Sequence, residues 1–499
     1  VGLIDGQDGV SHPNGWGTII IVGMRLGGGA INVDLNSDGD TDDAGETSFR
    51  SAYYCFDVTD PEQPPKLLWR FSDADLGFAT SYPGIARIKN PTDDEWYMIV
   101  GSGPNNTTSN RDYFFENTKT IGKIFVVDLK HGYLKKTFDL PANHIMGDPT
   151  MIDKDLDFSV DVIYIGANIG GTVGSTYQMT AGRVYRINTN DGLPSTWALS
   201  TLFDPNQAQF DVEPDPDNNK DEDMGPLLVG PSAALDSQRN LWVFFGTGRL
   251  RNKLDLIRSY QNRFYGIKDR CWKSTSASAC TTTVSGGDYS YQIGDLVNTS
   301  GVLVTNDTGA AGQVIDSAAD VCNNGAPAAD SCNFGTLLTT VRAADGWFIN
   351  LENDNSSPEL PSELVAARSS IIGGIVLFTT YKPTGDVCSI FGGSNLYALF
   401  YETGTAFSRP IVGTEVQNIG GEDKEVIKKK ASLGKGMPTS VGLAVGETIM
   451  GFVQQSTGAI KQIEQEPGLN IRSGLTGWRE DTSGGGTVEI ESIYKHVLK

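Results

Sequence analysis

One pairing of strands recurs along this chain and limits the folds open to it. An apolar run of β-branched and aromatic residues ends in glycine: Thr18-Ile-Ile-Ile-Val-Gly23, Trp96-Tyr-Met-Ile-Val-Gly101, Val162-Ile-Tyr-Ile-Gly166 and Leu241-Trp-Val-Phe-Phe-Gly246. A second run then ends in an acidic or amide residue before a turn, as in Gly122-Lys-Ile-Phe-Val-Val-Asp128, Gly182-Arg-Val-Tyr-Arg-Ile-Asn188 and Asn395-Leu-Tyr-Ala-Leu-Phe-Tyr-Glu402. Tyr53 to Asp57, Arg263 to Asp269 and Gly458 to Glu464 belong to the same set. Such runs, bounded by turn residues, read as strands. Helical spacing is scarce, and 59 glycines and 22 prolines interrupt the chain.

Six modules can be counted, about 60 to 80 residues apart, with one gap about twice as wide. At 499 residues the chain exceeds one ordinary core, so it holds two or three domains or a single repeat assembly. Evenly spaced strands with one aromatic–glycine signature per unit favour a β-propeller, in which blades bury their faces on one another and closure removes exposed edges. The expectation is an all-β fold, one modified propeller of about seven blades over residues 1–499. Residues 270–345, rich in Ser, Thr, Gly and Ala, are expected as a loop-rich insertion or irregular blade. A seventh, weaker blade is expected near Gly346-Trp-Phe-Ile-Asn350. An array of two-sheet sandwiches is the structural alternative.

Two acidic stretches carry the chemistry. Asp34-Leu-Asn36-Ser-Asp38-Gly39-Asp40-Thr-Asp42 sets oxygen donors at every second residue around a glycine, which is how a chain wraps Ca²⁺. Asp34, Asn36 and Asp38 would give side-chain oxygens at positions 1, 3 and 5, Asp40 its carbonyl, and Asp42 a direct or water-bridged contact at position 9. No glutamate stands at position 12, where Gly45 is found, so a shorter loop of nine residues is expected. Asp153-Lys-Asp155-Leu-Asp157-Phe-Ser159-Val-Asp161 repeats the spacing, with Phe158 in the glycine position. A bulky residue there is expected to keep a negative φ. The bland reading of each stretch is a solvated acidic turn. A third run, Asp215 to Asp223, contains Pro216 and Lys220 but no glycine and reads as a charged loop without metal.

Composition excludes several partners. Sixty-one acidic against 39 basic residues give a net charge of −22, which repels nucleic acid and anionic membrane alike. No apolar run reaches the roughly 20 residues of a membrane span. Val1-Gly-Leu-Ile-Asp5 shows no basic n-region or cleavage site, so the chain reads as a fragment or mature form whose export signal lay upstream. Of six cysteines, Cys271 with Cys280 and Cys322 with Cys332 would each close a short loop. Cys55 lies in an apolar strand and reads as a buried thiol; Cys388 could pair with it or with nothing. There is no C-x-x-C, no zinc-type histidine pair among the four histidines, no G-x-S-x-G and no phosphate loop around Gly434-Lys-Gly436. No catalytic residue is assigned.

The order of several segments resembles a known family. Gly15-Trp-Gly-Thr-Ile-Ile-Ile-Val-Gly-Met-Arg-Leu-Gly-Gly-Gly29 leads to Tyr53-Tyr-Cys-Phe-Asp-Val-Thr-Asp-Pro61 and Pro65-Lys-Leu-Leu-Trp-Arg-Phe71. Trp96 to Pro104, Val243 to Leu250, Asn262 to Asp269, Val376 to Tyr381 with Cys388-Ser, and Gln455-Ser-Thr-Gly-Ala-Ile follow. Over nearly the whole chain this is similar to the C-terminal domain of the PilY-type type IV pilus biogenesis protein and tip-associated adhesin. The resemblance implies a modified seven-bladed propeller at an extracellular pilus tip, assembled with minor pilins. It also implies one D-x-D-x-D-x-x-x-D calcium loop that balances pilus extension against retraction. By position that loop maps onto Asp153, Asp155, Asp157 and Asp161, which makes Asp34 to Asp42 an additional site. No Arg-Gly-Asp triplet is present, so integrin adhesion is not implied and the surface or host receptor stays open. Two other function classes compete. A quinoprotein dehydrogenase would use similar strand repeats, but this chain has no adjacent Cys-Cys pair and its tryptophans do not follow the repeat. A calcium-stabilised extracellular scaffold would show no pilus phenotype.

Overall fold

A computed structural model describes residues 12, 17–29, 31–34, 37–40, 47–89, 94–105, 121–173, 176–189, 192–204, 225–250, 261–273, 293–306, 314–316, 321, 332–352, 362–365, 367–384, 392–445 and 449–464. Its strands form six main sheets in chain order, antiparallel but for one edge strand of the fourth. The first holds Ile19–Gly23, Tyr53–Asp57 and Lys66–Phe71. The second holds Gly84–Ile88, Glu95–Gly101, Gly122–Asp128 and Leu134–Leu140. The third holds His144–Ile152, Val162–Val173, Thr176–Asn188 and Ala198–Phe203. Ser232–Leu235, Leu241–Gly246, Arg263–Lys268 and Gly346–Asn350 make the fourth, with Val297–Asn298 added in parallel at its edge. In the fifth, Leu364–Val365 and Ser370–Ile372 pair with Ile375–Lys382, followed by Gly393–Phe400 and Lys430–Lys435. The sixth holds Gly442–Val445, Ile449–Gln454 and Ile460–Glu464.

The sheets stack face to face in chain order, as propeller blades do. Alternation along each strand sends neighbours to opposite faces, and both faces of the second to fifth sheets are covered. Met98, Val100, Phe125 and Val127 pack on Tyr53, Cys55, Trp69 and Phe71 of the first sheet. Their neighbours Tyr97, Ile99, Ile124 and Val126 pack on Ile163 and Ile165 of the third. Val162 and Tyr164 then meet Val243, Phe245 and Tyr265, while Trp242, Phe244 and Phe264 meet Val376, Phe378 and Tyr397. Ile375, Leu377 and Leu396 close on Val441 and Val453. Double burial explains why these strands read as continuous apolar runs rather than as alternating ones. Each fully buried side chain of this size stabilises the stack by about 1.5–3 kcal/mol.

The terminal glycines have a steric cause. A Cβ on Gly101 would lie 2.1 Å from Met146 Cβ, one on Gly166 2.4 Å from Leu227 Cδ2, and one on Gly246 2.1 Å from Val365 Cγ2. Met146 and Val365 stand on the first strands of the following sheets, so the glycine is where the next sheet approaches the backbone. The acidic ends are turn caps: Asp57, Asp128 and Asp269 accept the N–H of Thr59, His131 and Cys271 at 3.0, 2.8 and 2.8 Å.

Two of the eight tryptophans make the same contact on different sheets. On the outermost strand of the first sheet, Trp69 Nε1 donates to the Leu129 carbonyl of the second at 2.8 Å. Trp347 on the fourth sheet does the same to Tyr401 of the fifth, at 2.8 Å. Each indole lies against a left-handed glycine of that turn, Gly132 at φ +73 or Gly404 at φ +68, where any Cβ would collide with the ring. Sequence inspection missed this because the two partners lie about 55 to 60 residues apart.

Gly346–Asn350 is not the start of a further blade. It pairs with Arg263–Lys268 and completes the fourth sheet, so the 270–345 segment is spliced between two strands of one sheet. Within that segment, helix Phe334–Ala343 starts at Asn333, whose side chain accepts from Thr336 N–H at 3.0 Å. It buries Phe334, Leu337 and Val341 between the fourth and fifth sheets. Cys271 and Cys332 are each disulfide-bonded; the partners expected for them, Cys280 and Cys322, lie outside the described residues, as does Cys388. Cys55 is a buried free thiol. The acidic run 215–223 also lies outside the described residues. No described helix is long and apolar enough to cross a membrane.

Candidate metal centre

The second acidic loop joins the first two strands of the third sheet. Its conformation follows from Asp153, whose Oδ1 accepts Leu156 N–H at 2.6 Å and whose Oδ2 accepts Phe158 N–H at 2.8 Å. Those two bonds require residues 156 and 158 to turn inward, and both adopt left-handed backbone, at φ +63 and +70. Phe158 therefore does not keep the negative φ expected of it. The conformation costs roughly 1–2 kcal/mol for a residue with a Cβ, offset by the Asp153 bond and by Arg87 Nη1, which donates to the Phe158 carbonyl at 3.3 Å. Its ring is half exposed, as is the Leu156 side chain.

Asp153, Asp155 and Asp161 converge, with one carboxylate oxygen of each within 4.8 Å of the others. Among the described residues they form the one such group of His, Cys, Asp or Glu side chains. Asp161 Oδ2 also accepts from Lys154 N–H. Hard oxygen donors at this spacing suit Ca²⁺. Asp157 stands apart: Oδ1 accepts Ser159 N–H at 2.8 Å, and Oδ2 lies 3.5 Å from Lys89 Nζ. Ser159 is buried, and its hydroxyl oxygen accepts Lys89 N–H at 3.1 Å. That contact does not involve the carbonyl, the group that position 7 offers in such loops.

The first loop repeats the pattern at the tip of the hairpin Ile31–Val33 and Thr47–Phe49. Asp34 Oδ1 accepts Ser37 N–H at 2.5 Å, and its Oδ2 accepts Gly39 N–H at 3.0 Å. Asp38 Oδ1 accepts Asp40 N–H at 3.1 Å, as Asp157 accepts Ser159 N–H. Ser37 and Gly39 are left-handed, at φ +63 and +102, in the positions of Leu156 and Phe158. Of the residues named in this loop, Asp34, Asp38 and Asp40 are described, whereas Asn36 and Asp42 lie outside the described residues. Two loops far apart in sequence share one hydrogen-bond pattern around position 1.

The neighbouring sheets grip the second loop. Val160 N–H donates to the Arg87 carbonyl at 2.9 Å, and Arg87 Nε pairs with Asp94 at 3.0 Å. Lys154 Nζ lies 5.4 Å from the Trp272 ring centre on the fourth-sheet side. Sequence reasoning missed Arg87, Lys89 and Trp272, since nothing local to the loop points to partners some 70 positions upstream or beyond Asp269.

Comparison with known proteins agrees with this architecture. The family model for the PilY1 beta-propeller domain matches residues 4–307. Two curated relatives, each described as a type IV pilus biogenesis factor PilY1 homolog of Xylella fastidiosa (strain Temecula1 / ATCC 700964), are similar. One is 22% identical over 356 residues, covering 70% of this chain and 23% of its own. The other is 25% identical over 366 residues, covering 71% and 21%. The chain thus spans less than a quarter of the length of these relatives. The crystal structure of the Pseudomonas aeruginosa PilY1 C-terminal domain superposes with a TM-score of 0.57 at 18% identity, over 92% of this chain and 82% of that one. The fold is a β-propeller.

Proposed function

The chain belongs to the PilY1 family of type IV pilus biogenesis proteins, and from that premise we propose that it is a non-enzymatic, calcium-binding module of the pilus tip. It would act outside the cell with minor pilins, supporting the balance of extension and retraction and contact with surfaces. The observation that carries the calcium part is the convergence of Asp153, Asp155 and Asp161, reinforced by a first loop with the same hydrogen-bond pattern. Asp157 and the Ser159 carbonyl would complete the second site. Asp34, Asn36, Asp38, Asp40 and Asp42 would hold a second ion. Bound Ca²⁺ would supply positive charge that draws the carboxylates together; the chain's own contribution is the left-handed backbone that presents them.

One further reading has a specific observation behind it. The second loop touches the sheets on both sides, through Arg87 and Lys89 and through Trp272, which favours calcium as a structural tie rather than a signal. Calorimetric titration of calcium into chelated protein separates these readings when paired with pilus assays. Two transitions are expected, one lost in Asp38→Ala and one in Asp161→Ala, with altered retraction in cells carrying the second variant. Heat that survives both substitutions would end the calcium proposal. Loss of heat and a lowered melting temperature with normal retraction would leave the structural reading standing.

A further inference from the structure

We infer that Lys89 is a tethered cation that competes with calcium for Asp157 and so sets the affinity of the second loop; this rests on the calcium reading above. Among the described residues, three cations stand at the loop, and two are engaged with groups other than its carboxylates. Arg87 is tied to Asp94 and to the Phe158 carbonyl. Lys154 extends over the Trp272 ring. Lys89 alone of the three is aimed at a loop carboxylate, its Nζ 3.5 Å from Asp157 Oδ2. That carboxylate is the acidic side chain of the loop left out of the converged trio.

The arrangement is built to persist but to yield. The Lys89 backbone is pinned to the loop by its N–H bond to Ser159 Oγ, and the Arg87 carbonyl beside it accepts Val160 N–H. The ammonium therefore stays in reach of Asp157 through every local fluctuation that keeps these bonds. Its side chain is nonetheless 59% exposed and that of Asp157 36% exposed. Exposed pairs of this kind are weak, so a divalent ion held by three carboxylates can displace the ammonium. Displacement frees Asp157 for the ion but leaves a positive charge nearby. Affinity at the second loop is lowered by that charge, and the penalty shrinks as salt screens it.

The test is calorimetric titration of the full chain at low and moderate ionic strength, with Lys89→Met and Lys89→Arg beside the wild type. Lys89→Met should tighten the transition that Asp161→Ala abolishes by about fivefold at low salt, with the gap closing as salt rises. Lys89→Arg should stay near wild type, and the first-loop transition should not move. In an Asp157→Asn background, the effect of Lys89→Met should fall by at least half. Equal affinity and salt dependence in wild type and Lys89→Met, with the Asp161-dependent transition present, would overturn the inference about Lys89 alone. Absence of any Asp161-dependent transition would overturn it together with the calcium reading.

Discussion

Substituting alanine for Gly246 tests the cause assigned to the recurring glycine. Gly246 is not in the left-handed region, so alanine brings no backbone strain and the effect isolates packing. The added Cβ would stand 2.1 Å from Val365 Cγ2, 2.8 Å from Val365 Cβ and 2.8 Å from Phe264 Cδ2. Neither neighbour can withdraw easily. Val365 is 5% exposed, and the Phe264 ring is stacked 3.8 Å, centre to centre, on Phe378. Overpacking of this kind costs about 1–3 kcal/mol, and a first contact as short as this places it at the upper end. Val365→Ala removes the colliding methyl at a cost of about 2 kcal/mol by itself. In the double variant the two costs should not add, because the new methyl fills the space that valine vacated. The shortfall should be about 1–3 kcal/mol. Urea unfolding followed by tryptophan fluorescence and near-ultraviolet circular dichroism measures all four corners, with equal slopes required before midpoints are compared. Strict additivity would refute the claim that the glycine exists to admit the next sheet.

Phe158→Gly should stabilise the calcium-free protein by about 0.5–1 kcal/mol, since relief of left-handed strain exceeds the added freedom of the unfolded chain. Phe158→Ala, which removes the ring but keeps the strain, should not; equal urea midpoints for the two would sink the strain argument. His144 is buried, with Nδ1 donating to the Ala142 carbonyl at 3.0 Å, and burial pushes its pKa down to about 4. Its folded pKa thus lies below the unfolded value of about 6.5, so its share of stability is present above that value and is lost as pH falls toward 4. Unfolding measured across that window should show about 3 kcal/mol more acid loss in wild type than in His144→Gln; identical pH profiles would contradict it.

What could be read from the sequence was what neighbouring residues decide. The strand modules were legible because both faces of Glu95–Gly101 and of Leu241–Gly246 are buried, which leaves continuous apolar runs. The Asp34 and Asp153 loops were legible because their folding is local: position 1 binds the amides three and five residues on. What escaped was set by distant contacts. The backbone of Phe158 is the local exception: the Asp153 bond to its amide holds it left-handed despite its Cβ, a balance that residue type alone does not reveal. Gly346–Asn350 looked like a new module, since no local signal reveals that the chain returns to Arg263–Lys268 after a long insertion. The Trp69 and Trp347 contacts went unseen for the same reason.

That division bears on how the second loop can work. Its carboxylate spacing is encoded within nine residues, but its surroundings come from three sheets: Arg87 and Lys89 from the second, Thr189 from the third and Trp272 from the fourth. Thr189 Oγ1 donates to the Val160 carbonyl at 2.5 Å, and Thr189 N–H to that of Asp161 at 2.9 Å. A change in loop conformation therefore strains contacts to both neighbours at once. Packed interfaces of this kind shift between discrete arrangements rather than deform gradually. A cation that drew Asp157 inward would break the Lys89 pair and would be felt first between the second and third sheets. The first loop rises from a two-stranded hairpin, and its hydrogen bonds described above run between its own residues. The second loop is thus tied directly to the body of the propeller, through Ser159 to the second sheet and through Val160 to Thr189.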